Sequence, residues 1–145
     1  MTARLCAYAR CVAAAALLCG CGSSNPELAA QRESGYAAVS KGEAAFASRD
    51  YASALEPLKS AVNEGALNPD VYAASAVKLV VCYGATGKFD EATALLDKLE
   101  SGAPNLDAVY AARSYVLAKR GRAAESRAAL AKARQYNRTV QEFKD

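Results

Sequence analysis

Cys19 and Cys21 stand one residue apart in "ALLCGCGSSN", residues 16–25. Two neighbouring thiols serve redox exchange, metal binding or covalent modification. A Cys-x-Cys pair supplies two ligands where zinc takes about four, and the 145-residue chain has no His to complete the set. Lack of His also removes the commonest general base and every Ser-His or Cys-His nucleophile arrangement. The acids Asp90, Glu91 and Asp97 fall at helix starts and on solvated helix faces, not in a paired constellation. "GATGKFD" contains Gly-x-x-Gly-Lys, but no strand precedes it and its spacing is not that of a phosphate-binding loop. The chemistry-bearing residues therefore predict no catalytic site, no metal and no cofactor.

The surroundings of the paired cysteines point to modification. Residues 1–10 carry Arg4 and Arg10 and no acid, and "CVAAAALLC" follows from Cys11 to Cys19. Nine helical residues rise about 14 Å, short of a ~30 Å hydrocarbon core. A basic start, a short apolar run and small residues at its exit describe a secretory signal. The order Leu18-Cys19-Gly20-Cys21 resembles the bacterial lipobox, Leu-x-Gly/Ala-Cys. Cys19 fits that pattern poorly, because Leu18 is too large just before a cut. An ordinary cleaved signal with chance cysteines is the alternative.

The lipobox resemblance implies that residues 1–20 are removed and that Cys21 becomes a lipidated N-terminus. Two or more acyl chains anchor a protein stably, whereas one does so marginally. Gly22 in place of Asp implies sorting to the outer membrane, facing the periplasm. Of the five cysteines, only Cys82 then remains as a thiol, which leaves no intrachain disulfide. It lies in apolar "LVVCYG" and reads as a buried structural residue.

Ala fills 35 of the 145 positions, and Ala is the strongest helix former. Asn25 suits a helix N-cap, Pro26 the first helical position and Glu27 the positive end of the dipole. Residues 21–25 are then a tether of roughly 12 Å mean reach. Beyond it, three segments align: "GEAAFASRDYASALEPLKSAV" from Gly42, "VVCYGATGKFDEATALLDKLE" from Val80 and "SYVLAKRGRAAESRAALAKAR" from Ser114. Tyr51, Ala54, Leu55, Leu58, Ala61 and Val62 share one helix face, and Phe89, Ala92, Leu95, Leu96 and Leu99 repeat it. The pattern predicts helices near 26–48, 51–64, 69–85, 89–101, 105–120 and 122–136. Pro57 is a misfit inside the second, with a kink or a late start expected.

These segments resemble the tetratricopeptide repeat, a 34-residue helix–turn–helix unit. The first supplies Gly42, Tyr51, Ala54, Leu58 and Ala61 at the family's characteristic positions, with Pro69 arriving late. The second supplies Phe89, Ala92, Leu96 and Pro104, with Leu99 where a second Ala is usual. The third supplies Ser114, Ala123, Ser126, Leu130 and Ala133, without the aromatic at the turn, and the family's usual Trp is absent throughout. The resemblance implies an all-α, short right-handed solenoid of about three repeats over residues 26–138, with 139–145 as a C-terminal tail. It also implies a concave groove lined by the first helix of each pair. Its positions land on Tyr36, Val39, Glu43 and Phe46, then Ala74, Val77 and Val81, then Ala111, Tyr115, Ala118 and Lys119. Packing into the core is the competing role for each of these residues.

Formal charge is +3, and +1 without the first twenty residues, which offers no case for nucleic acid. The charge is uneven. Residues 109–138 hold eight basic residues and Glu125 alone, whereas 21–108 hold seven bases and twelve acids. Arg120, Arg122 and Arg127 form a basic face that either docks an anionic surface or is a solvated end complementing the acidic repeats. Together these features predict a lipid-anchored scaffold or assembly factor that binds a protein partner at the bacterial envelope. The alternative is a structural subunit that self-associates within a pilus, secretion or envelope-assembly complex.

Overall fold

The computed structural model describes residues 25–64 and 66–144. The expected leader, the lipidation site Cys21 and the tether up to Ser24 lie outside the described residues. Six helices follow in order: α1 (Pro26–Ala47), α2 (Tyr51–Asn63), α3 (Pro69–Ala85), α4 (Phe89–Glu100), α5 (Leu106–Lys119) and α6 (Ala123–Tyr136). Among the described residues there is no strand. Consecutive helices pack as pairs, and each pair leans on the next through α3, which touches α1, α2, α4 and α5. The result is an all-α helical-repeat solenoid.

Local chemistry sets the helix ends. The Asn25 side chain accepts from the Glu27 N–H at 3.1 Å, with Pro26 at the first helical position. Asp50 caps α2, its carboxylate accepting from the Ser53 N–H at 3.0 Å. Hydrogen bonding from the Ser53 side chain, and then from its N–H, holds the Asp50 carboxyl below its ordinary pKa. The expected late start at Pro57 does not occur. With Asp50 as cap, α2 begins at Tyr51 and runs through Pro57, whose ring nitrogen has no hydrogen for the Ser53 carbonyl one turn earlier.

The three turns inside the pairs share one backbone solution. Arg49, Gly87 and Gly121 each take positive φ, at 62°, 77° and 78°. The next residue in each turn donates back into the preceding helix: Asp50 to Ala45 at 2.9 Å, Lys88 to Tyr83 at 2.8 Å, Arg122 to Leu117 at 2.9 Å. This is the Schellman closure, in which one left-handed residue lets the orphan carbonyls of a helix end be satisfied. "GATGKFD" is accordingly the turn between α3 and α4.

Small residues let the paired helices close. Gly42 lies against Leu58 in the first pair; in the second, Ala92 is small but Val80 stands where the glycine would, and both are fully buried. In the third pair the same positions are Ser114 and Ser126. There Ser126 Oγ donates to the Ser114 carbonyl at 2.8 Å, and the two hydroxyls stand 3.0 Å apart. A hydrogen bond thus replaces an apolar contact at the equivalent crossing. The core centres on Leu58, Leu96, Val80, Val81, Val109 and Cys82. Burial pushes the Cys82 thiol up to about 12.

Candidate partner-binding groove

The groove positions divide according to the neighbours of their helix. On α1, an end helix, Tyr36 and Phe46 are half-buried, Glu43 is exposed and Val39 is buried. On α3, Val77 is 3% exposed and Val81 is fully buried. They belong to the central core, because α3 is covered on several sides by its neighbours. On α5, Ala111 and Tyr115 are buried, whereas Ala118 and Lys119 are exposed. Tyr36, Glu43, Phe46, Ala118 and Lys119 are therefore the predicted groove residues with surface to offer, together with half-buried Ala74.

Charges and rings fix the edges of this surface. Lys78 of α3 pairs with Glu43 of α1. The Lys119 ammonium lies 5.5 Å from the centre of the Tyr115 ring, within cation–π range. Phe46 meets Tyr51 edge-on, with ring centres 5.4 Å apart.

The basic face is partly answered from within. Arg120 lies 3.9 Å from Asp90 and 5.7 Å from the centre of the Phe89 ring. Arg122 pairs with Glu125 through both carboxylate oxygens. Arg127 is exposed. Arg113 of α5 reaches both Asp97, at 2.7 Å, and Glu100 on α4. Basic third pair and acidic second pair thus meet along their shared border.

Five side chains that the groove reading did not single out also shape this face. Tyr110 stacks on Tyr136 with centres 5.8 Å apart and planes within 5°, and the Lys132 ammonium sits 4.1 Å from the Tyr110 ring centre. A hydrogen bond with Tyr110 holds Lys132 above the ordinary lysine value. Val140 packs on Tyr110, Ala111 and Ala133, and Phe143 reaches Phe46. The one available signal was that Phe143 is the sole aromatic after Tyr136. Among the described residues, no cluster of His, Cys, Asp or Glu suits a metal ion, and no helix is long and apolar enough to cross a membrane.

Repeated pairs, shared turn geometry and small-residue crossings together define a recurring helix–turn–helix unit. Residues 45–115 match the tetratricopeptide repeat family. The matched stretch contains α2, α3 and α4 with the turns between them, and most of α5. No curated protein and no solved structure gives a match. Tetratricopeptide repeats are a non-catalytic fold that generally mediates protein–protein interaction. Protein partners in general follow from that. The third pair continues the same helix–turn–helix geometry past the matched stretch, since Gly121 repeats the Gly87 turn.

Proposed function

We propose that the chain is a lipid-anchored interaction module at the bacterial envelope, tethered through Cys21 and holding a protein partner on its tetratricopeptide-like array. The observation that carries the binding half is the repeat match over 45–115, joined to an accessible edge of Tyr36, Glu43, Phe46 and Lys119. Solenoids of this kind act through extended surfaces, and function is located in those surfaces, not in the fold. The anchoring half rests on the Leu18–Cys21 motif directly after a short apolar run. A five-residue tether keeps such a module close to the bilayer, with the outer membrane as its place and the periplasm as its workspace.

Two experiments test the halves separately. Radiolabelled fatty acid should enter the wild-type chain and fail to enter Cys21→Ser; label persisting in the variant overturns the anchor. A photoreactive amino acid at Phe46 or Tyr36 should crosslink one defined protein partner in cells. Crosslinks only to a second copy of the chain would replace this reading with the self-associating subunit.

A further inference from the structure

We infer that residues 137–144 are a built-in occupant of the groove, and that its protein partner presents an extended segment with an aromatic side chain preceded by an acidic one. This deepens the interaction reading above and rests on it.

The chain leaves α6 in a defined way. Asn137 is extended, with φ −148° and ψ 111°. Its amide donates to Asp107 Oδ2 at 2.9 Å, and its Oδ1 accepts from the Thr139 N–H at 3.0 Å and the Thr139 hydroxyl at 2.9 Å. These bonds turn the segment back across α5. Val140 then settles on Tyr110, Ala111 and Ala133. Arg134 of α6 holds Glu142. Phe143 reaches the first pair, edge-on to Phe46 with ring centres 6.4 Å apart. The Tyr51 hydroxyl closes the far end, donating to the Lys144 carbonyl at 3.2 Å.

The segment bridges parts of the array that the helices leave apart. α1 touches α3 only sparsely, whereas α3 and α5 pack closely. Phe143 meets the predicted groove residue Phe46, and Val140 packs on the Tyr110, Ala111 and Ala133 cluster, which contains another. The contact is that of a ligand: a ring edge-on to a ring, a carboxylate on an arginine, a backbone carbonyl on a hydroxyl. Thr139, Gln141, Glu142 and Lys144 stay exposed, and Val140 and Phe143 are only half-buried. A cleft of about 340 Å³ remains among Phe46, Arg49, Tyr51 and the end of the segment. A competitor with a larger ring therefore has contacts to gain.

Covalent linkage explains how so modest a contact stays filled. A short tether gives a bound segment an effective concentration in the millimolar range. An outside segment sees its affinity reduced by the fraction of molecules whose groove is open.

The test uses the full-length chain and a fluorescent peptide of sequence NRTVQEFKD, read by anisotropy. Phe143→Ala should empty the groove and bind the peptide at least about tenfold more tightly than wild type does. A peptide carrying the Phe143→Ala change should bind neither chain, and one carrying Glu142→Lys should bind more weakly. Equal binding to both chains, or none to a helical Phe143→Ala chain, overturns the inference. If Phe143→Ala loses its helical circular dichroism, the full-length Glu142→Lys chain decides. Tighter peptide binding there supports the inference, and unchanged binding overturns it. A dimer that strengthens with concentration in light scattering would assign the segment to a second copy and overturn the partner. Peptide failure alongside a persisting Phe46 crosslink sinks this inference and leaves the interaction function standing.

Discussion

Gly42 and Leu58 meet where α1 crosses α2, so closely that a Cβ on the glycine would stand 2.6 Å from Leu58 Cγ. No side chain fits there without moving the leucine, which is itself fully buried. Gly42→Ala should therefore destabilise the protein by about 1–3 kcal/mol, the usual cost of overpacking. Urea unfolding followed by circular dichroism reads the change. In the Gly42→Ala background Leu58→Ala should cost less than it does alone, since it removes both clashing carbons, Cγ and Cδ2. An unchanged midpoint for Gly42→Ala would show that the crossing is looser than described.

Arg49 occupies the left-handed position that Gly87 and Gly121 fill in the other two turns. A non-glycine residue there costs about 1–2 kcal/mol in backbone sterics. Arg49→Gly should raise stability by about 1 kcal/mol once the extra entropy of glycine in the unfolded chain is deducted. Gly121→Ala should lower it by a similar amount. A Cβ at Gly121 meets nothing within 4 Å, so that variant isolates the backbone term. Thermal midpoints that move the other way would refute the strain.

Pro57 deprives α2 of one internal hydrogen bond. Pro57→Ala should stabilise the helix, with ~3 kcal/mol as the upper end for a proline in a helix interior. Its unfolding midpoint should rise, and a fall would mean that packing by the half-buried ring outweighs the missing bond.

Cys82 gives the protein an alkaline limit. Burial raises the folded thiol from its ordinary value of 9.0 to about 12, so between those values the unfolded chain loses this proton and the folded chain keeps it. Stability should hold below pH 9 and fall as pH rises above it, by at most about 1.4 kcal/mol per pH unit. Cys82→Ala should remove that slope while costing some packing. Iodoacetamide at pH 8 should label the native protein only as fast as it opens.

The helices were legible because the signals were local and repeated. Apolar positions at helical spacing and the Asn25-Pro26 start gave boundaries that hold to a residue or two. The roles of single residues were harder to read. Val77 and Val81 have the same spacing whether α3 lines a groove or sits amid four neighbours, and only packing separates the two. Arg49 carries no mark of positive φ, because its conformation is imposed by the helices on either side. Phe143 belongs to no periodic pattern, and its meeting with Phe46 spans nearly the whole described chain.

That meeting also alters how the protein holds together. A solenoid is quasi-one-dimensional: each unit leans only on its neighbours, so the end units fray on their own. The contact of Tyr51 with Lys144 joins residues 93 positions apart and ties the first unit to the chain beyond the last. With the segment docked, the array is a closed circuit in which loosening either end strains the other, and unfolding becomes more nearly all-or-none. With the segment displaced, it reverts to an open row, and its first and last pairs are free to melt separately. Whatever takes the place of Phe143 therefore sets the cooperativity of the fold as well as the occupancy of a surface.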